Sequence, residues 1–258
     1  MMRRVTLVPV LVAAALAHGR ADGSAQEGRI AFQRTVGYDF EVPEGWGERG
    51  EQIPTGEVTE LLLLFTASES VTVPVPETPA AAATGGDRRA ERIAARLRSS
   101  STSRSDQETL LEYYASLERS AVVETREFMG RTFLISGARP SRRWKLSGEQ
   151  REFLGFTVQK ATAVEGGATV EAWFTPEIPV AAGPGPYGGL PGMILVVTVD
   201  GGKTLYAATD VDLSGLGEAT IAAPREGDEV SREEYERIVA EKLEEVRTLA
   251  GGRRRPPF

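Results

Sequence analysis

The sequence predicts a mainly β protein: an antiparallel curved sheet, closing as a partial barrel or a sandwich, with one α-helix at its C-terminal end. Three observations carry this. Segments between residues 28 and 213 alternate apolar and polar side chains with the two-residue period of a strand. Short glycine-bearing turns separate them, at Gly130, Gly166-Gly167 and Asp200-Gly201-Gly202. A strong, capped 3.6-residue period begins only at Ser231.

The elements follow in order. Residues 28–40 place Ile30, Phe32, Tyr38 and Phe40 at strand spacing. Residues 41–54 hold Pro43, Gly45, Gly47, Gly50 and Pro54 and form a loop. Residues 57–68 carry Leu61-Leu62-Leu63-Leu64-Phe65, and the flanking Thr59, Thr66 and Val71-Thr72-Val73 favour a doubly buried strand over a helix. Residues 74–106 form an insertion between strands, Pro- and Ala-rich and then basic and polar, for which the composition predicts disorder. Strands return at 110–116, 121–128 and 131–136, the last two turning at Gly130. Trp144-Lys145-Leu146 opens a short strand. In the next, Leu154, Phe156 and Val158 share one face, opposite Phe153, Thr157 and Gln159. Val170, Ala172 and Phe174 then alternate with Glu171, Trp173 and Thr175. Residues 193–199 are almost unbroken apolar, as in a central strand, and 205–213 alternate again.

The helix has mutually consistent signals. Ser231 is an N-cap with Glu234 three residues on. Tyr235, Ile238, Val239, Leu243, Val246 and Leu249 make the apolar stripe. Gly251 stops the helix and Arg253-Arg254-Arg255 complements its negative end, so 251–258 is a basic tail.

The N-terminus is an address. Arg3-Arg4 precedes an apolar stretch from Val5 to Ala17, too short for a stable membrane span, and small residues follow. Residues 1–25 therefore form a secretory signal peptide, cleaved after Ala17 or Ala25, ahead of a single β-rich domain at 26–250. The expected location is the periplasm or the extracellular space, with no stable membrane anchor. Losing 1–25 removes three basic residues and one acidic residue, which moves the net charge from −7 to −9. Such an acidic chain excludes nucleic acid as a natural partner.

The sequence has no cysteine and one histidine, His18, within the leader. After cleavage at Ala25, no Ser-His-Asp triad, thiolate nucleophile, imidazole-ligated metal or His-ligated haem remains possible. Carboxylates, lysines, tyrosines and hydroxyls are the remaining catalytic material. We assign no catalytic residue, no metal ligand and no cofactor.

One run has no place in a regular element. Residues 175–195 hold Pro176, Pro179, Pro184, Pro186 and Pro191 together with Gly183, Gly185, Gly188, Gly189 and Gly192. Prolines fix φ and glycines allow positive φ, so the run specifies a shaped loop. The segment from Glu171 through Val180, followed by Gly183-Pro184 and Gly188-Gly189-Leu190-Pro191-Gly192-Met193-Ile194-Leu195, resembles the signature of the GLPGLI family of exported bacterial proteins. Met193 stands where the family name has leucine. Leu63-Leu64-Phe65, Trp144-Lys145-Leu146, Leu154-Gly155-Phe156 and Ser231 to Glu236 resemble further parts of that pattern. The resemblance implies an envelope location and a single β-rich domain, and it transfers no activity. Relatives carry a cysteine near the position of Thr157; this chain has none, so no thiol role carries over.

Candidate binding residues come from the loop: Glu177, Tyr187, Gly188, Gly189, Leu190 and Gly192. The glycines are suited to turning backbone donors towards a carboxylate or peptide, although turn punctuation is the plainer explanation of them. Glu177 lies between two prolines that aim it. The reading is a non-enzymatic binding or accessory module, with an apolar ligand or an envelope protein such as an outer-membrane transporter as partner. Its alternative is a carboxylate-dependent hydrolase, with or without Ca2+, in which Glu177 works with Asp210 or Asp212.

Overall fold

The computed structural model describes residues 26–37, 56–75 and 108–251. Its strands are β1 (Gly28–Gly37), β2 (Gly56–Phe65), β3 (Glu69–Pro74), β4 (Glu108–Ser116), β5 (Ala121–Phe128), β6 (Arg131–Ala138), β7 (Lys145–Phe153), β8 (Phe156–Glu165), β9 (Ala168–Thr175), β10 (Met193–Val199), β11 (Thr204–Asp212) and β12 (Asp228–Ser231), followed by the helix α1 (Arg232–Gly251). The leader, the loop at 41–54, most of the insertion at 74–106 and the tail after Gly251 lie outside the described residues; Pro74 ends β3. Among the described residues no helix is long and apolar enough to cross a membrane.

All twelve strands belong to one sheet, in the order β12-β6-β5-β4-β3-β2-β1-β11-β10-β9-β8-β7. Neighbours are antiparallel throughout except β12, which lies parallel to β6. The sheet is curved and open, with β12 and β7 at its two ends. Of the architectures the sequence allowed, the curved sheet is the one found.

The order has a simple cause. β1 to β6 form one meander and β7 to β11 form another that runs back towards the start. β1 joins them, pairing with β2 on one side and β11 on the other. Partners at this seam are distant in sequence; Arg29 reaches Asp212 as an ion pair. Three connections are two-residue hairpins with both central residues at positive φ: Met129-Gly130, Leu154-Gly155 and Gly166-Gly167.

Two expectations change here. The strand opening at Lys145 runs to Phe153, and the chain turns at Leu154-Gly155, so Leu154 shares no strand face with Phe156 and Val158. β12 had no signal, because four residues, three of them polar and exposed, carry no readable period.

The inner face of the sheet carries the main core. Ile30 and Phe32 of β1, Leu61, Leu63 and Phe65 of β2, Ala172 and Phe174 of β9, Val197 of β10 and Tyr206 of β11 form one buried cluster. The outer face is covered by 213–227, whose Leu216, Ala219, Ile221 and Ala223 pack on Leu64, Val71 and Tyr114. That segment leads to β12 and then α1. The helix docks Tyr235 and Val239 on Phe128, Phe133 and Ile135, with the Tyr235 and Phe133 rings edge to face at 5.3 Å. Ser231 Oγ accepts the Glu234 backbone N–H at 3.1 Å, the cap the sequence predicts.

The seam supports a direct test. Phe32 is 1% exposed, and within the sheet its strand alone connects the two meanders. Phe32→Ala is expected to cost about 3–5 kcal/mol of unfolding free energy. Urea titration checks it, and a loss below about 1 kcal/mol would mean that the two halves do not share a core.

Candidate functional site

The loop between β9 and β10 is not an excursion into solvent. It folds back over the inner face and completes the main core with Ile178, Val180, Ala182 and Leu190, each no more than 2% exposed. Alternate residues at 178, 180 and 182 turn inward while Pro176, Glu177 and Pro179 stay outside.

A buried chain without ladder partners must satisfy its backbone groups some other way. Three are closed locally by hydrogen bonds from residue i+2 back to i: Val180 to Ile178, Ala182 to Val180, and Gly192 to Leu190. Two of these tight turns centre on a proline, whose fixed φ suits the inverse γ-turn. Met193 N–H donates to Ile178 at 3.0 Å and Ile194 N–H to Ala182 at 3.0 Å, which ties the loop to β10.

Three further carbonyls are met from one segment, the connection between β6 and β7. Arg139 donates to the Ala181 carbonyl, Arg142 to that of Pro186, and the Trp144 indole to that of Gly188 at 3.0 Å. On the far side Gly185 N–H donates to Thr72 Oγ1 of β3 at 3.0 Å, a buried bond. Glycine is required at Gly192, at φ 154°, where a Cβ would collide with the Thr175 carbonyl oxygen, and a Cβ at Gly188 would displace the end of the Arg139 side chain.

Arg142 is the hub. Its side chain is 6% exposed, it grips Glu165 through two nitrogens at 2.9 and 3.1 Å, and it lies 4.8 Å from the Tyr187 ring centroid. Tyr187 stacks edge to face on Tyr206 at 5.4 Å. Burial, with Tyr206 beside it, pushes the Tyr187 hydroxyl well above the ordinary tyrosine range. Beneath the loop, burial and the neighbouring Glu124 carboxylate push Tyr113 up to about 12, partly offset by Arg139, Arg142 and Arg232.

The candidate residues divide by position. Glu177 and Gly189 are exposed, Tyr187 is half-buried, and Gly188, Leu190 and Gly192 are buried. Glu177 serves the structure, since its carboxylate accepts the Thr157 N–H at 2.8 Å. Thr157 lies just beyond the β8–β9 ladder, opposite the proline that ends β9, so the side chain replaces a missing strand partner. Glu177 is not gathered with the aspartates. Asp210 and Asp212 lie on β11, separated from β8 by β10 and β9. Asp212 is engaged by Ser214 and Arg29, which hold its carboxyl far below the usual carboxylate range. No cluster of three or more acidic side chains among the described residues is arranged to hold a metal.

Of the aromatics, Trp144 and Tyr187 belong to the loop's cradle. Trp173 lies on the outer face, 8% exposed, with the Arg151 guanidinium 3.8 Å from its ring centroid. Sequence reasoning missed Arg139 and Arg142. Arg139-Pro140-Ser141-Arg142-Arg143 has the composition of a solvated linker, and only the loop's need for donors distinguishes it.

A family model described as a protein of unknown function (Porph_ging) matches residues 165–196, the span that contains β9, the loop and the start of β10. No curated protein matches the chain. Among solved structures, PNGF-II in its P21 and C2 space groups is similar at 15% identity and a TM-score of 0.49, covering 83% of this chain. The chain spans about a third of the length of those structures, 33% and 32%.

The tyrosines give a pH dependence with a defined sign. In the unfolded chain a tyrosine ionises near pH 10, whereas folded Tyr113 holds its proton to about 12. The folded state therefore keeps this advantage below about pH 10 and loses it as pH rises towards 12. Unfolding free energy measured across that window is expected to fall, and to fall less steeply in Tyr113→Phe. Identical slopes for the two proteins would contradict a desolvated hydroxyl.

Proposed function

We propose that the chain is an exported accessory module of the cell envelope, without enzymatic activity, that docks a partner protein on the rim of the β9–β10 loop. The leader pattern at 1–25 and the likeness of 171–195 to the GLPGLI signature support the envelope address. One observation carries the docking: the loop is fixed by side-chain donors from Arg139, Arg142 and Trp144 and still leaves Pro176, Glu177, Pro179, Gly189 and Pro191 exposed. A rigid rim loses little conformational entropy on association. The buried Gly188, Leu190 and Gly192 set its shape, and Glu177 and Gly189 offer contact.

A protein partner is favoured over an apolar ligand. The part of the inner face best suited to an apolar molecule is already covered by Ile178, Val180, Ala182 and Leu190. A binding role is favoured over hydrolysis because Glu177 is bonded to Thr157 of β8 while Asp210 and Asp212 lie together on β11, with β9 and β10 between, and Asp212 is held by Arg29.

Photo-crosslinkers placed at Pro179 and Gly189 in cells are expected to trap the same envelope protein, with no adduct from Glu241 on α1. Adducts that do not depend on position would overturn the proposal. So would turnover of a peptide or ester by the purified protein, abolished in Glu177→Gln.

A further inference from the structure

The two ends of the sheet differ. β12 has four residues and runs directly into α1. β7 has nine, pairs only with β8 among the described residues, and is exposed along most of its length. An edge of that length offers unpaired N–H and C=O groups to any strand that meets it. It is also guarded. The register with β8 shifts between Leu146 and Gln150, a bulge, and Lys145, Glu149, Arg151 and Glu152 set charge along the edge. Charges that repel most strands select the strand that matches them.

The side chains of β7 take the two faces in turn. Arg151 lies over the ring of Trp173 and Glu149 comes within 3.5 Å of Lys160, so both stand on the outer face. Leu146, opposite Ala161, and Gln150, opposite Gln159, stand on the inner side. Leu146 is 59% exposed and the turn residue Leu154 is 44% exposed, large apolar side chains with nothing over them in one chain.

A second copy can meet this edge across a twofold axis normal to the sheet. The two β7 strands then run antiparallel with their outer faces on one side, so facing residues share a face and the axis passes through one residue. Centred on Glu149, Arg151 or Glu152, the pairing sets a charge against its own copy. Centred on Gln150, it sets Glu149 against Arg151 twice, Leu146 against Leu154 twice, and a neutral amide against itself. Glu152 then faces Gly148, which has no side chain to oppose it.

We propose that two copies of this chain form a twofold dimer through β7, antiparallel and centred on Gln150, so that one sheet continues across both. Glu149 lies between Lys160 of its own chain and Arg151 of the other copy, and the exposed leucines cover each other. The contact is one ladder long, less than an obligate dimer buries, so association depends on concentration. It uses neither Pro179 nor Gly189, and the docking reading stands or falls separately.

The absence of cysteine makes single-thiol variants decisive. Gln150→Cys brings two thiols opposite each other, with Cβ atoms about 5 Å apart and within disulfide reach. Glu152→Cys, on the same strand and face, leaves them about 14 Å apart along the strand. Mild oxidation of the purified full chain is expected to dimerise Gln150→Cys in far higher yield than Glu152→Cys. Sedimentation of the wild type is expected to show a monomer–dimer equilibrium. Arg151→Glu, which sets like charges opposite at two symmetric positions, is expected to weaken it about tenfold. The exchanged variant, Glu149→Arg with Arg151→Glu, is expected to restore it. A wild type monomeric up to about 1 mM, equal oxidation yields at the two positions, or a dimer indifferent to Arg151→Glu would overturn the proposal. So would failure of the exchanged variant to recover, or a Gln150→Cys adduct formed in cells with a different protein in place of the second copy.

Discussion

The structure depends on satisfying the backbone of a buried chain that has no ladder to join. The loop between β9 and β10 lies against apolar side chains, where each unpaired carbonyl or N–H costs on the order of 1–3 kcal/mol. Prolines remove donors outright, three tight i+2 turns close hydrogen bonds within the loop, and Arg139, Arg142, Trp144 and Thr72 partner four further groups. With that solved, Ile178, Val180, Ala182 and Leu190 cover the sheet, and the curved face acquires a core without a second sheet or a layer of helices.

This arrangement links the two meanders in a second way. β1 joins them by backbone pairing, and the loop joins them by packing, since it springs from the β7–β11 half and docks at Thr72 in the β1–β6 half. The C-terminal segment gives a third link. It leaves β11, crosses the outer face through 213–227, and returns to the inner face as α1 by way of the β6 edge. Glu124, held by Arg126 from the sheet and Arg232 from the helix start, fixes that return. A buried carboxylate shared by two cations is costly to break, which suits a joint.

The legible part of the fold was whatever a two-residue period expresses. β1, β2, β4, β5, β6, β9, β10 and β11 each bury one face or both, and their sequences say so. β7 was cut short because its edge position leaves most of its residues exposed and therefore free of pattern, and because its turn uses Leu154-Gly155 where the familiar signal is Asn-Gly. β12 is too short to have a period, and its parallel pairing is set by the path of the preceding segment. The loop's rigidity was legible from its prolines and glycines. Its burial was not, since Pro/Gly-rich runs usually lie at the surface and the donors that make burial possible sit some forty residues away in a basic stretch.

Amide hydrogen exchange across residues 178–194 tests the central claim most directly, because protection reports whether the loop's hydrogen bonds persist in solution. The N–H groups of Val180, Ala182, Gly185 and Gly189 should exchange as slowly as those of β10, and Trp144→Phe, which deletes one donor and keeps an aromatic ring, should speed exchange at Gly185 and Gly189 before it affects β1 or β11. Exchange of these amides at the rate of an open peptide in the wild-type protein would show that the loop is not held, and the account of the core and of the docking rim would fail with it.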